Sequence, residues 1–230
     1  LKSQVITTMH PVYQPKAEDH WDTQARTQLG QLKRTPFEAQ IRCGILPIAR
    51  TLYKEDRKGA FLVGEMGAGK TIMSLAVAAL DPKPAKRILI QCPGHLVRKW
   101  IREAEATLPG CTCINLNGRD MMLLLDHKHN PAKPRGTEIW VLGKERAKLH
   151  YQRKPGLMVR QGSSCCPDCG AQVFWNVNDP APVCEHCQAR MWSADGGRNR
   201  RYAKAEFIKR YLPKGFFDLV ILDEVHELKG

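Results

Sequence analysis

The 230-residue sequence contains no apolar run approaching the roughly 20 residues that cross a bilayer. It shows no signal-peptide pattern and no internal repeat. A membrane role is therefore not expected, and the cytoplasm is the expected location. Acid is also scarce: 23 Asp and Glu stand against 36 Lys and Arg, a net charge of +13. Such an excess favours a polyanionic partner, nucleic acid ahead of a membrane surface. What is present is globular in kind, 43% apolar and 26% charged, enough for one substantial core and a small satellite. The first residue is Leu1 rather than methionine, and only a few residues follow the last apolar segment, so the sequence reads as a piece of a longer chain.

Cysteine is abundant, at nine residues, but unevenly placed. Cys43, Cys92, Cys111 and Cys113 lie in or beside apolar segments and read as buried free thiols. The other five fall between Cys165 and Cys187, which in a reducing compartment points to metal rather than disulfides. Cys166/Cys169 and Cys184/Cys187 form two C-x-x-C knuckles separated by 14 residues, offering four thiolates in the tetrahedral arrangement that suits zinc. Cys165 could replace Cys166 with poorer spacing, and His186 could ligate only at the expense of ribbon geometry. The segment from Ala171 to Trp175 reads as a hairpin strand running toward the turn-prone Asn178-Asp179-Pro180. This is the pattern of a zinc ribbon. Arg198, Arg200, Arg201, Lys204, Lys209 and Arg210 follow it, with Trp175 and Trp192 nearby. Two readings stay open there: phosphate gripping with base stacking, or a structural staple beside a solvated basic helix.

Around these cysteines the pattern alternates. Residues 37–53 have helical apolar spacing interrupted by Gly44 and Pro47, whereas residues 1–35 are polar without sustained periodicity. Ala60–Val63 reads as a short buried strand, residues 71–80 as an apolar helix, and residues 87–91 as a strand before a helix over 95–108. Further strands are expected at 112–116, 138–142 and 217–222, with a helix at 202–212. Alternating strands and helices with β-branched strands imply a parallel sheet covered on both faces.

Two motifs carry chemistry. Gly64-Glu65-Met66-Gly67-Ala68-Gly69-Lys70-Thr71 fits G-x-x-x-x-G-K-S/T in full, after an apolar run and before a helix. Glycines let backbone N–H groups wrap phosphates, Lys70 would reach the β- and γ-phosphates of ATP, and Thr71 would offer its hydroxyl to magnesium. The strand at 217–222 runs into Asp223-Glu224-Val225-His226. Asp223 can hold magnesium and Glu224 can orient the attacking water. For His226 a surface role and a coupling role are both open.

These residues resemble helicase superfamily two, and within it the Swi/Snf-type translocating ATPases. "GEMGAGKT" looks like the group's first motif, "ILIQCPGHLVRKWIREAEATLPG" like the next, and "DLVILDEVHELKG" like its DEAH-type motif, in the right order. The resemblance implies a RecA-like, three-layer P-loop α/β lobe that binds Mg-ATP and grips a nucleic-acid backbone, DNA ahead of RNA. It places Pro93, Gly94 and His95 near that backbone, while Leu96 and Trp100 keep a packing reading. "TPFEAQ" loosely matches the adenine-contacting glutamine motif, which brings in Phe37 and Gln40. Gly64 stands where the family often has an acid. A second lobe, which in the family supplies arginines to the hydrolytic site, is absent from these residues. The expected organisation is an extension over 1–35, the lobe over 36–160 and 200–230, and a zinc-ribbon insertion over 161–199. The expected activity is ATP-driven translocation or helicase action. A P-loop ATPase of another kind is disfavoured by Cys92-Pro93 and Trp100. The rival from another class is a nucleic-acid-binding module that binds ATP without hydrolysing it.

Overall fold

The computed structural model describes residues 19–117, 133–148, 150–153, 158–160, 163–166, 169, 171–174, 183–188 and 200–225. They fall into two units, residues 1–84 with 102–111 and residues 85–101 with 112–230. No helix among the described residues is long and apolar enough to cross a membrane.

The first unit is helical. Helix α1 (His20–Leu29) begins inside the polar N-terminal stretch, where local capping replaces long periodicity as the organising force. The Asp19 side chain accepts from the backbone N–H groups of Trp21 and Asp22, and Asp22 accepts from the N–H of Asp19. Asp19 also pairs with Lys54 and Arg50, and Asp22 with Arg50. Segment α2 runs through Glu38–Gln40, Ile41–Ile45, Leu46–Ala49 and Arg50–Lys54, the second and fourth pieces in wider π-type turns. Gly44 and Pro47 thus leave the chain helical: the wider turns absorb the missing proline N–H. Gly44 also permits close approach, since a Cβ there would lie 2.7 Å from the Met73 sulfur. Helix α3 (Lys70–Ala79) is apolar on nearly every side, with Ile72, Met73, Leu75, Ala76, Val77 and Ala78 buried, as befits a core helix.

The expected buried strand at Ala60–Val63 is not formed. These residues are coil, with Phe61 84% and Val63 90% exposed. Four apolar residues between Gly59 and Gly64 have no neighbouring strand among the described residues to supply hydrogen bonds, and an isolated strand does not stand alone. Cys43 is likewise exposed and Cys111 and Cys113 are half-buried, so only Cys92 of those four thiols is fully interior.

The second unit holds a four-stranded parallel sheet. Its strands are β1 (Lys86–Cys92), β2 (Thr112–Asn115), β3 (Thr137–Gly143) and β8 (Leu219–Leu222). They stand side by side in the order β2–β3–β1–β8. Ile88 and Ile90 of β1 and Ile139, Trp140, Val141 and Leu142 of β3 are buried, the near-continuous apolar pattern of strands covered on both faces. A one-turn 3₁₀ segment (Gly94–Leu96) leads from β1 into helix α4 (Val97–Thr107), and β3 runs directly into α5 (Lys144–Lys148). Between α5 and the last strand lie two antiparallel pairs, β4 (His150–Arg153) with β7 (Arg200–Ala203) and β5 (Met158–Arg160) with β6 (Ser163–Cys165). Helix α6 (Lys204–Tyr211) follows.

One face of the sheet is closed by Leu116, Trp140, Leu142, Ala147, Leu212 and Phe216. Trp140 meets Phe216 and Phe217 edge-on at 5.7 and 5.8 Å, the arrangement that aligns ring edges with ring faces. Arg87 lies over Phe216 at 4.4 Å and pairs with Glu138 at 2.8 Å, so its buried charge is satisfied twice.

Candidate functional site

In the first unit, Gly64–Lys70 forms an exposed turn that ends on the first residue of α3. Gly67 (φ +83) and Gly69 (φ +82) occupy the left-handed region that glycine enters freely. Gly69 caps α3, and a Cβ on it would overlap Gln40 Nε2. Gln40 donates to the carbonyl of Ala68 at 3.0 Å, so α2 contacts the loop directly. Lys70 folds back over the turn, donating through Nζ to the carbonyls of Gly64 (2.9 Å) and Glu65 (3.0 Å). Thr71 is half-buried in the first turn of α3, and Met66 is fully exposed at the loop tip.

In the second unit, a parallel sheet brings every strand's carboxyl end to one edge, the edge where open α/β folds bind ligands. Cys92 faces Gly143 in register and Gln91 faces Leu222, so the residues just beyond them share that edge. Pro93–His95, Lys144 and Asp223-Glu224 therefore lie at the ends of three adjacent strands. The backbone N–H of Asp223 continues the ladder to Gln91 at 2.9 Å. Its carboxylate accepts from the Trp100 indole at 2.9 Å. Glu224 adopts φ +52, and its carbonyl accepts from Lys144 Nζ at 2.6 Å. The turns are packed closely: a Cβ on Gly143 would sit 3.0 Å from the Gly94 Cα, and one on Gly94 would lie 2.6 Å from Glu145 Oε2. Asn117 steadies the same edge by accepting from the Gly143 N–H at 2.8 Å. Burial pushes the Cys92 thiol up to about 12, with the Asp223 and Glu145 carboxylates adding to it, so it stays neutral.

By sequence Trp100 belongs to the second of the resembling motifs but carries no role beyond packing, and Lys144 and Asn117 carry no motif at all. A signal exists for Trp100: a buried indole N–H needs an acceptor, and Asp223 is one. For Lys144 the signal is weaker, a lysine directly after the apolar strand 137–143. Thr71 and Asp223 belong to different units. Arg198 and His226 lie outside the described residues. Arg200 and Arg201 stand on β7, opposite Arg153 and Gln152 of β4.

The four cysteines of the two knuckles come together. Their sulfurs all lie within 4.8 Å of one another, with Cys166 to Cys187 at 3.8 Å and Cys169 to Cys184 at 3.5 Å. Four thiolates about 2.3 Å from a tetrahedral zinc would be separated by about 3.8 Å, so the cluster could hold that ion. Cys166, Cys169 and Cys184 are buried and Cys187 is exposed. Burial raises the Cys169 thiol above its ordinary value. Burial also opposes ionisation of Cys184, but backbone N–H groups of Cys187 and His186 outweigh it and lower that thiol. Gln188 closes the second knuckle at φ +57, its N–H bonded to the Cys184 carbonyl at 2.7 Å. Of the expected hairpin strand, residues 171–174 show only a single bridged residue, Gln172, and Trp175 lies outside the described residues. Backbone bonds hold the knuckle instead: the Cys166 N–H donates to the Ala171 carbonyl at 2.7 Å, and the Ala171 backbone also bonds Cys169.

No family model matches the chain. The chain is 34% identical over 70 residues to the DNA excision repair protein ERCC-6-like of Danio rerio, a stretch covering 30% of this chain and 5% of that protein. It is 36% identical over 73 residues to Protein CHROMATIN REMODELING 19 of Arabidopsis thaliana, covering 29% of this chain and 9% of the relative. The ERCC-6-like protein of Mus musculus is 31% identical over 70 residues, 6% of its length. The chain therefore spans less than a tenth of the length of these relatives. The similarities are thus to short stretches of a DNA excision repair protein and of a chromatin-remodelling protein, and the matched chain has a parallel α/β sheet.

Proposed function

We propose that this chain is the first motor lobe of an ATP-driven translocase acting on nucleic acid, DNA ahead of RNA. The observation that carries the reading is the shared edge of β1, β3 and β8. There the acidic pair Asp223-Glu224 stands beside the Pro93–His95 turn, so the groups suited to ATP and to a phosphate backbone occupy one stretch of sheet. The partial likeness to a DNA repair protein and a chromatin-remodelling protein points the same way.

Each unit carries a residue type suited to a magnesium nucleotide. In the second, Asp223 gives one carboxylate oxygen to Trp100, and in the first, Thr71 stands in the opening turn of α3. Magnesium, when bound, neutralises phosphate charge. The chain's own residues do the rest. Lys70 exchanges the Gly64 and Glu65 carbonyls for phosphate oxygens, the glycines admit the phosphates to the backbone, and Glu224 orients water. A second RecA-like lobe would bring arginines to this site. The four cysteines hold zinc between α5 and α6, ahead of strand β7, whose sequence carries Arg200 and Arg201.

The test is ATP turnover by the protein with and without DNA or RNA. Stimulation by nucleic acid, abolished in Lys70→Ala, is expected. Nucleotide binding with no turnover under any nucleic acid would favour the binding-module reading instead.

A further inference from the structure

Two side-chain bonds at the sheet edge reach the acidic pair from α4 and α5, 123 and 80 positions away along the chain. Trp100, 3% exposed in the first turns of α4, cannot satisfy its indole N–H with bulk water and donates it to Asp223 Oδ2 at 2.9 Å. Lys144, 6% exposed at the start of α5, donates through Nζ to the Glu224 carbonyl at 2.6 Å. Glu224 sits at φ +52, where a side-chain-bearing residue stays only when its surroundings hold it.

We propose that Trp100 and Lys144 are positioning residues for the acidic pair. Trp100 fixes the Asp223 carboxylate for the magnesium of a bound nucleotide, and Lys144 fixes the backbone from which Glu224 projects. The inference rests on the nucleotide reading above. Its physical basis is that a carboxylate at a strand end rotates about two bonds. A donor on one oxygen sets its plane and leaves the other oxygen for the cation. The indole is a neutral donor, so it orients the carboxylate without bringing a positive charge against the metal. At Glu224 the demand differs, because the left-handed backbone must be held before the side chain has a defined direction. Lys144 meets the carbonyl itself. Both donors leave the sheet from adjoining turns, where Gly94 and Gly143 approach too closely for a Cβ on Gly143 to fit without a shift.

The test uses the protein with a non-hydrolysable ATP analogue and Mn²⁺ in place of magnesium, free Mn²⁺ being read by electron paramagnetic resonance. Trp100→Phe keeps a buried ring and removes the donor. It should weaken Mn²⁺ binding in the ternary complex about tenfold, while analogue binding in EDTA is unchanged. Lys144→Met should lower kcat about tenfold or more at an unchanged KM, since it misplaces a group used in the chemical step. A third readout needs neither turnover nor metal: the ¹⁵N-labelled Trp100 indole resonance, assigned by its loss in Trp100→Phe, should shift in Asp223→Asn. Mn²⁺ affinity within about twofold of wild type in Trp100→Phe, or an indole resonance unmoved in Asp223→Asn, overturns the role of Trp100. An unchanged kcat, or a change confined to KM, overturns that of Lys144, and so does nucleotide binding without turnover in the wild-type protein, because Glu224 then activates no water. If the wild-type protein binds neither analogue nor Mn²⁺, the nucleotide reading fails and takes the proposal with it. Loss in Lys70→Ala and Asp223→Ala but not in Trp100→Phe overturns the positioning of Asp223 alone.

Discussion

Gln40 ties α2 to the glycine loop. Its Nε2 donates to the Ala68 carbonyl at 3.0 Å, and its Oε1 accepts from the Phe37 N–H at 3.0 Å. One amide thus closes a bridge between the start of a helix and a turn 28 residues further on. This placement makes the loop's shape depend on Gln40, whatever base the nucleotide carries. Removing a net hydrogen bond of about 1 kcal/mol corresponds to about fivefold in affinity. Gln40→Ala is therefore expected to weaken ATP and GTP about equally, in titrations with fluorescent nucleotides. A loss confined to ATP would show that the residue reads adenine instead.

Gly69 has two reasons to be glycine, a φ of +82 and the Gln40 amide where its Cβ would stand. Gly69→Ala should cost on the order of 1–3 kcal/mol, through left-handed strain and loss of the Gln40 bridge. Urea unfolding monitored by helical circular dichroism would measure it, and an unchanged midpoint would show that the loop relaxes freely.

The cysteine cluster predicts one zinc per chain, falling well below half in Cys184→Ser, by plasma emission analysis of the purified protein. Because thiols must lose protons to bind metal, uptake should release protons, and apparent affinity should fall as the pH is lowered.

Asp19 sets an acid limit on the first unit. Its carboxyl is held down at about 2, from an ordinary 3.8, chiefly by the Lys54 ammonium, with the Asp22 N–H and Arg50 assisting. A group whose folded value is depressed contributes above its unfolded value and ceases to contribute as pH falls through the folded one. The anchoring of α1 should therefore weaken between about pH 4 and pH 2. Asp19→Asn should flatten that limb in thermal melts recorded across the same range.

Sequence and structure agree best where burial alone decides. Strands β1 and β3 are legible because Ile88, Ile90, Ile139 and Val141 are β-branched and buried. Ala60–Val63 carries a similar pattern, yet stays coil, because apolar character does not record whether a neighbouring strand exists. Helix α1 departs in the opposite way. Its periodicity is weak, and it is held by the reciprocal Asp19 and Asp22 cap and by Arg50 and Lys54 at its base. At the candidate site, the glycine loop and the acidic pair are local patterns and can be read directly. The bond from Trp100 to Asp223 spans 123 positions and that from Lys144 to Glu224 spans 80, and no short pattern encodes either.

The order in which the sheet's strands occur along the chain has a kinetic consequence. Strand β8 lies against β1, and Arg87 meets Asp218 across 131 positions, so this pairing waits until the whole cysteine-bearing segment has been synthesised. Closing so long a connection is entropically unfavourable and slow for a parallel pair. A metal drawing Cys166 to Cys187, 21 positions apart, would shorten the effective connection before β8 docks. Zinc supply during synthesis would then influence how quickly Asp223 and Glu224 reach their places, although the metal stands outside the chemistry those residues perform.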